Sequence, residues 1–158
     1  MIEPPINRRI EDLAEPFRRI YARLASDLRT AGFWPWLDEG LRTVDRQAWI
    51  YAEGRTRQGS IRTQCDGIHK PSNHQARPPL AGGWAADTRF LLAEHGRVAP
   101  LPAWAIEYRT LGLFAERAGL RWGGRFGMKP KLWHLTPLEI PTNALGNDVG
   151  HVEMPPAA

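Results

Sequence analysis

At 158 residues, with 42% hydrophobic and 24% charged positions, the chain has the composition of one ordinary globular domain. No apolar run approaches the ~20 residues that a membrane-spanning helix needs, and a single cysteine excludes an internal disulfide. The formal net charge of +4 favours an anionic partner, either nucleic acid or an acidic cell-wall polymer, yet no Lys/Arg block or base-stacking motif singles out nucleic acid. Nothing in the polar, proline-containing start resembles the apolar core of a signal peptide, so synthesis in a cytoplasm without an export signal is expected.

The apolar residues Ile10, Leu13, Phe17, Ile20, Tyr21, Leu24 and Leu28 recur at steps of three and four. That spacing predicts an amphipathic helix over residues 8–30, which Pro16 either kinks or divides and Gly32 stops. Residues 33–37 read as a short aromatic strand or turn. Glu39-Gly40-Leu41-Arg42-Thr43 reads as a strand end turning into a helix that Thr43 caps. That helix carries Val44, Ala48, Trp49 and Tyr51 and stops at Gly54. Residues 60–63 fit a brief strand, 64–71 a polar loop and 84–92 a longer strand. A linker over 97–102 holds Pro100 and Pro102, the second placed to open another helix. Trp104, Tyr108, Leu111, Phe114, Ala115 and Ala118 follow at helical spacing, and Gly119 closes the run. Residues 120–122 read as a strand and 132–140 as a strand pair. Together these give an α+β domain, a small antiparallel sheet packed with helices.

The chemistry concentrates between Ser72 and Asp87. His74 stands on a loop and Asp87 within a predicted strand, and an imidazole and a carboxylate so placed can converge on one metal ion. Catalytic zinc takes three protein ligands and keeps its fourth position for water, so a third ligand is needed. Cys65 and His69 could ligate, but a small buried thiol and a surface imidazole are the better readings. The later imidazoles His134 and His151 remain as candidates. Water on a metal also needs a carboxylate to take its proton. Asp148 lies three residues before His151, whereas the same position before His134 is Lys131, whose positive charge disqualifies it as a base. The chemistry therefore favours His151, with His134 as the alternative. Arg42 and Gln47, at the entry and first turn of the Thr43-capped helix, would face a cleft.

These pieces arrive in an order that resembles a known family. Gly40-Leu41-Arg42-Thr43, Arg46-Gln47 and Tyr51-Ala52-Glu53-Gly54-Arg55-Thr56 look like its "GYRS…RQ…LYAQGRT" segment. Cys65-Asp66-Gly67-Ile68 with Ser72-Asn73-His74-Gln75 looks like the approach to its first metal ligand. Gly83-Trp84-Ala85-Ala86-Asp87 resembles its "GxAxD", Leu120-Arg121-Trp122-Gly123-Gly124 its "WGG", and Asp148-Val149-Gly150-His151-Val152-Glu153 its closing "DxxHxE". The family is that of zinc D-Ala-D-Ala carboxypeptidases and phage L-alanyl-D-glutamate endolysins, which are peptidoglycan peptidases. The resemblance covers residues 39–154, after an N-terminal helical segment over 8–31. It implies a single zinc-peptidase domain with His74, Asp87 and His151 as zinc ligands and Asp148 as general base. It also implies Arg42, Gln47 and Ser72 near the bound peptide, with Arg42 pairing a substrate carboxylate. Residues 76–82 look like an insertion between the first two ligands. The gap after Trp-Gly-Gly is long, and a shorter one would select His134. The expected protein is a monomeric, phage-type cell-wall hydrolase, made in the host cytoplasm, with peptidoglycan rather than nucleic acid as its partner. A D-Ala-D-Ala carboxypeptidase, or a non-catalytic basic module that binds cell wall or nucleic acid and keeps the fold without the metal, is the alternative.

Overall fold

The computed structural model describes residues 2–92, 97–99, 101–102, 104–127 and 130–140. Pro16 divides the periodic N-terminal stretch: Ile10–Asp12 form one 3-10 turn, and helix α1 (Phe17–Thr30) starts directly after the proline. A proline has no N–H to give inside a helix but loses nothing at its entry. The apolar stripe of α1 buries Phe17, Tyr21, Leu24, Ala25 and Leu28. At its end Gly32 takes the left-handed conformation (φ +87°), and the Phe33 N–H returns to the Leu28 carbonyl at 2.9 Å.

The sheet is antiparallel throughout. Its strands are β1 (Pro35–Glu39), β2 (Ala86–Leu92), β3 (Arg97–Ala99), β4 (Leu120–Trp122) and β5 (His134–Pro137), in the order β1-β2-β5-β4. β3 and β5 share the edge of β2 opposite β1, since Phe90 pairs with both Pro35 and Ala99, and Asp87 with both Glu39 and His134. Helices α1 and α3 (Ile106–Arg117) cover one face, enclosing Leu37, Ala86, Phe90, Leu120 and Leu135 with Tyr108 and Leu111. Thr88 belongs to that face, where its hydroxyl meets the Tyr21 hydroxyl at 3.1 Å. Burial pushes the Tyr21 phenol up to about 12. Side chains alternate along a strand, so Ala86, Thr88 and Phe90 on the helix side turn Asp87 to the opposite face. Helix α2 (Val44–Ala52) follows β1, and the Thr43 side chain caps it by accepting from the Arg46 N–H at 3.2 Å.

The α+β class and the antiparallel sheet agree with the sequence reading, and several local expectations do not. Residues 60–63 form no strand, because no neighbouring strand pairs with them. The expected linker over 97–102 contains β3, paired to β2 from Leu92↔Arg97 to Phe90↔Ala99. Residues 132–140 supply one strand, not two, and its partners are β2 and β4. Trp104 stands 82% exposed ahead of α3 and takes no part in its buried face.

Backbone contacts lock the entry of β2 to the rest of the site. The Gly83 N–H donates to the Asp12 carbonyl and its carbonyl accepts from Ala14, both at 2.9 Å. A Cβ at Gly83 would lie 2.8 Å from Leu41 Cα and 3.0 Å from the His74 carbonyl oxygen. Gly83→Ala is expected to cost about 1–3 kcal/mol by overpacking, read as a lower urea midpoint. An unchanged midpoint would show that these backbones do not meet so closely.

Candidate metal centre

A bulge sets the row of residues from which the site is built. β1 pairs regularly with β2 as far as Leu37↔Thr88, and then Glu39, not Asp38, stands opposite Asp87. One extra residue in a strand re-aims the side chains beyond it. Cross-strand partners point to the same face, so Glu39, Asp87 and His134 form a line across β1, β2 and β5 on the face away from the helices.

His74 arrives from a loop held down on both sides. Its carbonyl accepts from the Arg42 N–H at 2.8 Å, and the neighbouring Asn73 carbonyl accepts from Trp84 at 2.9 Å. Within the loop, the His74 N–H reaches Ser72 Oγ at 3.3 Å, and the Gln75 side chain accepts from the Ser72 N–H at 2.7 Å. The His74 ring nitrogen Nδ1 lies 2.7 Å from the Gly40 carbonyl oxygen. A carbonyl only accepts, so Nδ1 carries the proton and Nε2 presents its lone pair. That Nε2 is 3.5 Å from Asp87 Oδ1, and His134 Nδ1 is 2.8 Å from the same oxygen. One ligand atom each from His74, Asp87 and His134 lies within 4.8 Å of the others. Donors on a tetrahedral zinc ion, at bond lengths of 2.0–2.2 Å, are about 3.3–3.5 Å apart. The His74–Asp87 separation matches that span, His134 Nδ1 stands closer at hydrogen-bond distance, and the tautomer of His74 with the nitrogen–oxygen donor set makes this a group that could hold a metal ion.

The charges around this cluster are buried and interlocked. Burial alone would raise Asp87, but the two imidazoles that face it, His74 foremost, hold its carboxyl well below the usual range. Burial pushes His134 down, against the pull of Asp87, and so favours the neutral ring that a metal requires. Glu39, 5% exposed, would also be raised by burial; Arg42 and Arg46 bring it below its ordinary value instead. Arg42 Nη2 stands 2.6 Å from Glu39 Oε2 and 3.3 Å from Asp87 Oδ2. Arg46 bonds Glu39 at 2.9 Å and also pairs with Glu3.

The cluster opens into a cleft of about 470 Å³ lined by Arg42, Ser72, His74, Asp87 and His134, with Arg62, Cys65, Phe126, Lys131 and Trp133 around them. A larger and shallower hollow of about 650 Å³ lies between α1 and α3, but it gathers no set of metal-ligating side chains. Of the residues expected from sequence, His74, Asp87, Arg42 and Ser72 meet in the cleft. Gln47 is fully buried: its amide donates to the Cys65 carbonyl at 2.7 Å, and its oxygen accepts from Arg42 at 3.2 Å. His69 pairs with Asp66 on the loop at 3.1 Å, away from the cluster. His151 and Asp148 lie outside the described residues. Glu39 was not singled out from the sequence as part of the site, and Lys131 was weighed there only as the residue in the base position before His134. The spacing Glu39, Arg42, Arg46 was the available signal for the first, and proximity to His134 for the second.

No protein-family model matches the chain, and no curated protein sequence matches it. Among solved structures it is similar to the L-Ala D-Glu endopeptidase ChiX of Serratia marcescens, with a TM-score of 0.52. Identity is 18%, and the match covers 86% of this chain and 88% of that one. The likeness is one of fold.

The folded values of Glu39 and Asp87 lie below the unfolded ones of about 4. Their contribution to stability is therefore complete at neutral pH and is lost as pH falls through the folded values. Glu39→Gln should cost about 3 kcal/mol or more at pH 7 and make urea stability less steep in acid. A variant with wild-type stability from pH 7 down to pH 3 would show that Glu39 does not anchor Arg42 and Arg46.

Proposed function

We propose that this chain is a zinc-dependent peptidase that hydrolyses an amide bond in the stem peptide of bacterial peptidoglycan. In finer detail it is read as an L-alanyl-D-glutamate endopeptidase of the phage endolysin kind, with D-Ala-D-Ala carboxypeptidase as the neighbouring activity. The observation that carries the reading is the buried His74–Asp87–His134 cluster at the floor of an open cleft. The order of the sequence motifs and a fold shared with an L-Ala D-Glu endopeptidase support it. The third ligand position falls to His134, which stands on β5 directly opposite Asp87.

When bound, a zinc ion supplies Lewis acidity, polarising a carbonyl and lowering the pKa of water from 15.7 to about 7. The chain's own residues do the rest. Gly40 fixes the tautomer of His74, and β5 brings the neutral ring of His134 to Asp87. Arg42 balances the charge of Asp87 and, with Ser72, lines the wall along which the peptide lies, while Gln47 holds Arg42 in place. Among the described residues no carboxylate other than Asp87 lines the cleft, and Asp87 is committed to the two imidazoles. The role of proton acceptor is proposed for Asp148 on the order of the sequence motifs alone, since that residue lies outside the described ones. Made in a host cytoplasm, such an enzyme would reach the wall after release by a separate pore-forming protein.

A second reading, a wall-binding module that keeps the metal and does not hydrolyse, is favoured by one observation: a lysine, Lys131, lines the cleft three residues before His134. Incubation with wall fragments separates the two, since only the peptidase frees new termini. His134→Ala should abolish zinc binding and His151→Ala should leave it intact, measured by metal content after dialysis; the reverse pattern would move the third ligand to His151. Asp148→Ala should retain zinc and lose about 10²- to 10⁴-fold in rate, and an undiminished rate would remove Asp148 from the mechanism.

A further inference from the structure

The cleft contains a cation that the proposed hydrolysis does not use. Lys131 is half-buried and lines the cleft beside Trp133 and His134. Its position is fixed by the turn that places His134: the Lys131 N–H donates to the Gly123 carbonyl at 2.9 Å, and its carbonyl accepts from the His134 N–H at 3.0 Å. Only a glycine fits at Gly123, as a Cβ would fall 2.4 Å from the Lys131 carbonyl oxygen. Among the described residues no carboxylate comes within ion-pair distance of the Lys131 ammonium, although the buried acids nearby are fully engaged. Arg42 already faces two carboxylates, Glu39 and Asp87, so it brings little net positive charge to a ligand. Arg62 leans on Glu53 at 3.4 Å from the rim.

A half-buried lysine lining the cleft of a candidate cation site has no compensating charge among the described residues until an anion joins it. We infer that Lys131 is a specificity-determining residue that receives a free carboxylate of the bound peptide, so that the cleft takes acidic peptides whose carboxylate lies next to the amide held at the cluster. The identity of that amide rests on the proposed function, whereas the carboxylate contact holds whether or not the amide is cut. A point charge on a flexible four-carbon stem suits this task, and a charge-assisted bond to a carboxylate is of the stronger kind.

The test uses the zinc-loaded full chain and the peptide L-alanyl-γ-D-glutamyl-L-lysine amide, with the glutamate α-carboxyl either free or as its carboxamide. Calorimetry should show the free acid bound about 10- to 100-fold more tightly, the range expected of a hydrogen bond to a charged group. Lys131→Met should bring the two peptides to equal affinity while zinc content and urea midpoint stay at wild-type values, and Lys131→Arg should keep part of the preference. Equal binding of both peptides by the wild type, or a preference that survives Lys131→Met, would overturn the inference. A Lys131-dependent preference without cleavage of either peptide would uphold it and refute the peptidase reading. Cleavage of both peptides at equal rates, with or without Lys131, would do the opposite.

Discussion

The Asp87 carboxylate is the point to which the structure is tied. It sits on the central strand, with Oδ1 between the two imidazoles and Oδ2 on Arg42. A carboxylate taken out of water is costly unless its lone pairs are met and its charge is balanced. Each of its partners comes from a different part of the chain: His74 from a loop, His134 from β5, and Arg42 from the approach to α2. The need to satisfy one buried anion therefore fixes how three separate segments meet. Glu39 extends the same logic, because it neutralises Arg42 and Arg46 and so keeps the guanidinium of Arg42 from overwhelming Asp87.

A buried charge network of this kind is weak grounds for claiming extra stability, since an apolar replacement of the whole set can do as well. Its value lies in position. The hydrogen bond from His74 Nδ1 to Gly40 selects the ring nitrogen that faces Asp87, and the glycine contacts at Gly83 hold the loop and strand at that separation. Donors arranged before a cation arrives lose little freedom when it binds, which is the usual source of tight and selective metal sites. The helix face of the sheet serves the same end from behind: Thr88 against Tyr21 and Phe90 against Tyr108 keep β2 from rotating about its own axis.

Much of this was legible in the sequence, and the missed parts share a cause. The division of the first helix at Pro16, the Thr43 cap and the strand bearing Asp87 are local features, and local pattern found them. The partners of Asp87 depend on register, which is set by pairing between distant segments and shifts every side chain to the other face if it slips by one. The bulge that brings Glu39 opposite Asp87 leaves no mark in the alternation of Pro35–Glu39, whose proline and aromatic content already obscures it. For the later imidazoles, sequence reasoning weighed the company each keeps, an acid before His151 and a lysine before His134. The pairing of β5 with β2, which carries His134 to the cluster, is not legible in the sequence, and His151 lies outside the described residues. β3 was hidden by Pro100 and Pro102, which follow it, since a short run leading into prolines reads as a linker when its partner strand is unknown.

That lysine separates two requirements that are easily merged. Holding a divalent ion takes three donors in the right places, and His74, Asp87 and His134 form a group that could meet that condition. Turning over an amide takes a further acidic group with a free lone pair, and the described wall of the cleft offers cations in that role instead: Arg42, Arg62 and Lys131. Among the described residues the one carboxylate lining the cleft is committed to the cluster and Lys131 has no acidic partner, so the cleft attracts an anion before any bond is broken. Recognition of an acidic ligand is thus a property of the cleft's own charge balance. Hydrolysis is a second property, which requires a carboxylate to join the site without cancelling that balance. The two can be lost or kept independently, and a substitution that removes the acid while leaving the donors would convert a hydrolase into a binder without disturbing its fold.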